Sequence, residues 1–387
     1  MLDHLKILDF TTLLPGPYAT MMFADFGAEV IHVESPDRHD LTRSMFTDDG
    51  EDSPVHSYLN RSKQSLALDL KQPESVEAIK RLVMSHDIIV EQFRPGVMER
   101  FGLGYEQLRE INPAIIYCSI TGYGQTGSYR QKPGHDNNFL ALSGIASYTG
   151  TKPKGATLAG VQIADIAGGS LHSVIAILMA VVHRNRTGEG QWIDISMTDC
   201  SLALNAFAAP AYLEKDIELN YEGFLLNGGS FYDYYETKDG RHFSVGSLEP
   251  PFKKALCAAI GQPELYGLSM KDDQESIDHF KKRLQQAFAT RTFTEWQEIF
   301  AAVDACVEPV LTIGEACRHP LFAERNMIVD VPAKKGGFKK QLASPIKSSV
   351  FSPVYHFTGA KLGQHTETIL EKLAKQSEKN VNHSTYK

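Results

Sequence analysis

The chain reads as an α/β protein with a parallel sheet in its first half and a smaller α+β domain after it. Three observations predict this. From Ile7 to Tyr123 short apolar runs alternate with helical patterns, which is how strands joined by crossover helices are written in sequence. After about Pro210 the composition shifts to Tyr, Gly and charged residues as far as Arg241. The 387 residues, 42% of them hydrophobic, are enough for a large core and two domains.

The elements follow in order. Short apolar runs predict strands at Ile7 to Phe10, Val30 to Val33, Ser65 to Leu68, Ile88 to Val90 and Ile115 to Ile120. Between them Tyr18 to Asp25, Pro73 to Ser85 and Gly96 to Phe101 carry helical patterns. A long apolar helix covers Leu171 to Val182, and the turn Thr187-Gly-Glu-Gly190 leads into a further strand, Gln191 to Ser196. In the second domain His242 to Ser247 reads as a strand, with helices at Pro251 to Ile260, Ile277 to Ala289 and Thr294 to Val303. Beyond Met327 come strands and turns to about Lys361, then a polar helix and a tail from Gln376 to Lys387 too hydrophilic to pack firmly. The domain boundaries expected are therefore 1–210, 225–326, 327–375 and the tail 376–387.

Composition excludes several classes. The formal charge of -8 is spread without long like-charge blocks, so general attraction to nucleic acid or an anionic membrane is not expected. Five scattered cysteines without CxxC spacing suit a reducing cytoplasm and neither a disulfide framework nor a zinc site. No secretion signal is visible at the N-terminus. The apolar run from Leu171 to Val182 is shorter than the roughly twenty residues that span a bilayer.

The chemistry is expected at two helix starts. Gly134-His135-Asp136-Asn-Asn-Phe139 and Ile163-Ala-Asp165-Ile-Ala-Gly-Gly169 each set an acid–base side chain where an apolar helix begins. Unpaired backbone N–H groups there favour negative charge and can hold an anion as it forms. With Asn227-Gly-Gly-Ser-Phe-Tyr-Asp-Tyr-Tyr, Val245-Gly-Ser-Leu-Glu249-Pro-Pro-Phe, Phe93-Arg94-Pro-Gly-Val97, Gly122-Tyr-Gly-Gln-Thr-Gly127 and Asp304-Ala-Cys-Val-Glu-Pro-Val-Leu311, these stretches resemble the family III CoA-transferases of CaiB/BaiF type, and within them the α-methylacyl-CoA racemase branch.

The resemblance implies a Rossmann-like large domain completed by the C-terminal segment, and two chains interlocked as a homodimer. It implies an acyl-CoA substrate and no cofactor beyond the CoA moiety. His135 and Asp165 are then the two bases of an epimerisation at the α-carbon of a 2-methyl-branched acyl-CoA, since inversion needs a base on each face. Glu249 matches a family site residue that orients His135 or perturbs Asp165, and Asp136 is a supporting carboxylate or an ordinary helix-start residue. The alternative is CoA transfer between carboxylic acids, in which Asp165 is a nucleophile; Asn227-Gly-Gly carries less glycine than the loop usual there.

Candidates for the CoA phosphates are Arg38, Arg43, Arg61, Lys63, Arg94 and Arg100, with Arg94 first because it occupies its place in the Phe-Arg-Pro-Gly motif. Relatives often have arginine where this chain has Ser35 before Pro36, so Arg38 or Arg43 would take over that contact. Gly122 and Gly124 belong to a loop that borders the acyl-CoA site in the family. Their GxGxxG pattern is not a dinucleotide fingerprint, because it runs into a polar loop stopped by proline and not into a helix. His172 reads as a core or interface histidine, and Cys118 as strand interior without the positive surroundings of a reactive thiol.

Overall fold

The computed structural model describes residues 1–47 and 52–384. The chain divides into two compact units, one made of residues 1–143, 160–204 and 321–387, the other of 144–159 and 205–320.

The first unit is built on six strands: β1 (Lys6–Phe10), β2 (Glu29–Glu34), β3 (Gln64–Ala67), β4 (Ile88–Glu91), β5 (Ile116–Thr121) and β6 (Gln191–Ser196). Their order is β3-β2-β1-β4-β5-β6, every pair parallel. Ile7 stands opposite both Val30 and Ile88. Ile7, Leu8, Ile88, Ile89, Val90 and Ile116 are wholly buried, because crossover helices cover both faces of such a sheet; this is why the strands appear in the sequence as unbroken apolar runs. The strand order reverses between β1 and β4, and the carboxyl ends beside such a switch point form a natural ligand crevice.

Four helices matter for that crevice: α1 (Pro15–Asp25), α2 (Asp136–Leu142), α3 (His172–Thr187) and α4 (Met197–Ala203). A wide π-helical stretch, Ala164–Leu171, runs directly into α3. Together they make a continuous helix of 24 residues, in which an 18-residue stretch has a mean hydropathy of 1.8, long and apolar enough by length and composition alone to cross a membrane. The expectation of too short an apolar run is thus corrected. Here Ile177, Ala180 and Val181 are buried, and the helix packs on α1, β5 and β6 within the unit.

The C-terminal segment closes the sheet's open edge. An edge strand offers unpaired N–H and C=O groups; on β3 the Ser65 N–H donates to His365 Nδ1 (3.0 Å), the His365 N–H to the Ser65 carbonyl (3.0 Å), and the Ala67 N–H to Thr366 Oγ1 (2.9 Å). The final helix, Thr366–Ser384, adds Ile369 and Leu373 to the core beside Leu8 and Val83. It continues through most of the expected tail; residues 385–387 lie outside the described residues.

The second unit has a three-stranded antiparallel sheet in the order Val307–Pro309, His242–Val245, Asp233–Glu236. Its core is aromatic, with Tyr235, Phe243, Phe280, Phe288 and Trp296 all buried. Residues 144–159 belong to this unit and not to the first, since the short hairpin they form is tied to it: Asn227 Nδ2 donates to the Tyr148 carbonyl and the Lys152 N–H to Glu222. The boundary falls at 204 where 210 was expected, and residues 321–326 go with the first unit.

Two expected CoA ligands are structural instead. Arg61 is wholly buried and grips Asp25 with two hydrogen bonds (2.8 and 2.6 Å) while donating to the Leu342 carbonyl (2.6 Å). Lys63, 1% exposed, donates to Asp9, Asn60 and the Pro17 carbonyl. Burial pushes the Asp9 carboxyl up, but Lys63, His32 and the Thr11 and Thr20 hydroxyls outweigh it and hold the group below its ordinary value. Removing one partner of such a pair strands a charge in the core. Arg61→Ala is therefore expected to lower the unfolding free energy by about 3–5 kcal/mol, read from urea denaturation; a loss under 1 kcal/mol would show that Asp25 finds another partner.

Candidate active site

His135 is the N-cap of α2, exposed, with its backbone N–H held by Asn138 Oδ1 (2.9 Å) and its carbonyl accepting from the Asn138 N–H (2.8 Å). Asp136, the first residue of α2, reaches across with Oδ1 to accept the backbone N–H of Asp165 (3.1 Å). The two helix starts that the sequence singled out therefore adjoin, and one carboxylate pins them together.

Asp165 sits in the first turn of the π-helical stretch, half-buried. Its carboxyl is pushed up to about 6, first by burial, then by the charge of Asp136, with His135 pulling the other way. The resemblance offers Glu249 as one residue that could perturb Asp165. The negative charge beside Asp165 belongs to Asp136. Glu249 is an exposed N-cap of the helix Pro250–Ala259 in the second unit, and its charge bears on Cys306.

The π geometry has local causes. Gly168 and Gly169 lie where helices meet: a Cβ on Gly169 would come 3.0 Å from Pro15 of α1 and 3.2 Å from Met197 of α4. Wide π turns leave carbonyls that α-helical spacing does not serve. Here Ser170 Oγ donates to the Pro15 and Asp165 carbonyls, and His172 Nδ1 to the Ala167 carbonyl (2.6 Å). His172 thus has a definite structural task in the turn that carries Asp165.

A cavity of about 440 Å³ opens beside His135. Its wall includes Gln92, Phe93 and Arg94 from the loop after β4, Gly122 and Tyr123 after β5, Arg130, Lys132, and Asn138 and Phe139 of α2. Asp165 is not part of this wall; it adjoins His135 through Asp136. Phe139 presses so closely on the loop that a Cβ on Gly122 would come 2.5 Å from its ring, and one on Gly134 2.6 Å. Gly124 has φ +80° and serves a turn whose Gln125 N–H donates to Asp194 (2.9 Å). From Gly122 to Gly134 the chain forms turns and no helix until α2, as the sequence reading of this GxGxxG required.

Arg94 is exposed and lines the cavity. Arg38 is exposed beyond the end of β2 and is not in the wall. Arg43 is committed to Glu34 by two hydrogen bonds (2.9 and 2.7 Å) and to the Ala360 carbonyl (3.1 Å), and Arg100 is exposed on the short helix Val97–Arg100. Sequence reasoning missed Arg130 and Lys132, although Ser128-Tyr-Arg-Gln-Lys-Pro-Gly134 carries both; a pair of cations two residues apart beside the Gly-rich turn was the available signal. Burial lifts the Cys118 thiol to about 12, which removes it as a nucleophile. Among the described residues no group of three His, Cys, Asp or Glu could hold a metal ion.

The sequence profile of "CoA-transferase family III" matches residues 2–366. The chain belongs to that family. It is 36% identical to human "Alpha-methylacyl-CoA racemase" over 378 residues, covering 96% of this chain and 92% of that one. It is 31% identical to human "Succinyl-CoA:glutarate CoA-transferase" over 387 residues, covering 98% and 87%. Among solved structures a CaiB/BaiF family protein from Brucella suis superposes with a TM-score of 0.81 at 29% identity, over 96% of this chain and 99% of that one. The family III chain described here is thus an enzyme of a superfamily whose members include both racemases and CoA-transferases.

One consequence of the site geometry can be read directly. Asp136→Asn removes the second cause of the raised Asp165 carboxyl but leaves an oxygen to accept the Asp165 N–H, so the pKa of Asp165 should fall from about 6 toward the ordinary carboxylate value. Carbon-13 NMR titration of the Asp165 carboxyl checks this; an unchanged midpoint would leave burial as the sole cause.

Proposed function

We propose that this enzyme epimerises the α-carbon of 2-methyl-branched acyl-CoA thioesters by proton transfer through an enolate. The observation that carries the reading is the pairing of His135 with an Asp165 whose carboxyl sits near 6. A carboxyl of ordinary pKa is fully ionised at neutral pH and cannot return a proton; one near 6 is protonated often enough to do so and remains a competent base. The racemase relatives, at 36% and 35% identity, support the same choice.

His135, neutral, takes the α-proton from one face. The electrons of the broken C–H bond pass into the thioester carbonyl, and the enolate oxygen is held by backbone N–H groups at the helix starts. Protonated Asp165 delivers its proton to the opposite face and is left ionised. The enzyme is restored when His135 releases its proton and Asp165 regains one. Arg94, Arg130 and Lys132 hold the CoA phosphates at the mouth of the cavity. The protein acts as a homodimer: Leu171, Ile175, Leu178, Met179 and Val182 form one exposed apolar stripe along the helix.

The CoA-transferase relatives keep a second reading in play, in which the Asp165 carboxylate attacks an acyl thioester to form an anhydride. Incubation with a 2-methylacyl-CoA in deuterated water, with and without a free carboxylic acid, separates the two. Deuterium at the α-carbon without an acceptor supports epimerisation; a new thioester that appears only with the acceptor, with an Asp165 hydroxamate on hydroxylamine trapping, overturns it. In the first case the two enantiomers should show opposite pH limbs near 6 in kcat/KM. The direction that uses Asp165 as acid falls as pH rises, and the one that uses it as base climbs.

Arg94→Ala should weaken CoA binding by about 1.5–3 kcal/mol, the worth of a charge-assisted hydrogen bond. Binding of a pantetheine thioester without the nucleotide should not change, as calorimetry with both ligands would show.

A further inference from the structure

Glu91 ends β4 with 4% of its surface exposed, and proton transfer makes no use of it. Its Oε2 accepts the backbone N–H of Phe93 at 2.8 Å, at the start of the turn that leads to Arg94. The Ser119 hydroxyl, opposite it in register on β5, donates to the same carboxyl, and Ser119 Oγ accepts from Trp192 Nε1 of β6 at 3.1 Å. One side chain therefore links two neighbouring strands to the first peptide of the cavity wall. Two neutral amides hold the neighbouring parts of this loop: Gln92 Oε1 accepts the Gly16 N–H (3.1 Å) and Gln131 Nε2 donates to the Pro95 carbonyl (2.9 Å).

The charged neighbours that bear on Glu91 are Glu99, after β4, and Asp194, on β6, both negative. Burial first, and these charges after it, push its carboxyl up to about 7. A buried carboxyl without a cation destabilises a fold more than an apolar group of similar size would. A buried carboxyl beside a cavity is a candidate for a task other than stability.

We propose that Glu91 is a positioning residue for CoA binding: its carboxyl fixes the Phe93 peptide and with it the direction in which Arg94 enters the cavity. The inference rests on the reading of Arg94 as a phosphate ligand. Held this way, the guanidinium meets the phosphate already oriented, and less conformational freedom is lost on binding.

The test is CoA affinity by calorimetry on the full chain, with the melting temperature as a check on folding. Glu91→Leu should fold at least as stably as wild type yet bind CoA about tenfold more weakly, because no acceptor meets the Phe93 N–H. Glu91→Gln should recover most of the affinity, since its amide oxygen can accept the same N–H. In an Arg94→Ala background, Glu91→Leu should add less than about twofold, the coupling expected of residues that act as one. Wild-type affinity in Glu91→Leu, or full additivity with Arg94→Ala, overturns the proposal. If Arg94→Ala alone leaves CoA affinity unchanged, the phosphate reading fails and the proposal with it; a loss in Arg94→Ala without one in Glu91→Leu defeats only the positioning role.

Discussion

The site depends on a close contact between the helices that carry it, at two glycines. Where the π-helical stretch packs on α1 and α4, a Cβ on Gly168 would come 3.2 Å from the Met197 carbonyl and one on Gly169 3.0 Å from Pro15, both tighter than ordinary contact. That contact sets the depth of Asp165, half-buried and within reach of Asp136. A larger residue at either glycine would press on α1 or α4 at the turn that carries Asp165. The polar side chains that close the wide turn, Ser170 and His172, keep its extra carbonyls satisfied.

The electrostatics follow from that placement. Two carboxylates share one corner: burial and the charge of Asp136 raise the Asp165 carboxyl, and Asp136 accepts the Asp165 backbone N–H. His135, Asp136 and Asp165 thus stand at two adjoining helix ends, so a shift of either helix alters the surroundings of all three.

Away from the site, buried charge serves the frame. Arg61 and Lys63 look in sequence like phosphate ligands, yet each is enclosed and spoken for by Asp25 or Asp9. Arg61 also grips the hairpin of strands Ile328–Pro332 and Phe338–Leu342 through the Leu342 carbonyl, so the returning segment is tied to α1 by the same side chain. The basic residues left facing the cavity are Arg94, Arg130 and Lys132.

The sequence alone determined the parallel sheet, the two helix starts and the family. Strands buried on both faces must be apolar throughout, and helix starts carry capping residues, so both leave local signals in the chain. It also marked Arg94 by motif and dismissed the GxGxxG by the proline that follows it. Only the tertiary structure decided which cations are enclosed by acidic partners and that Asp136 reaches Asp165, because a charge is tuned by neighbours distant in sequence: Asp25 lies 36 residues from Arg61, and Asp136 29 residues from Asp165. It decided as well that residues 144–159 join the second unit. A two-residue hairpin is too short to show a period, and its place is fixed by hydrogen bonds to Asn227 and Glu222 that no local pattern foretells.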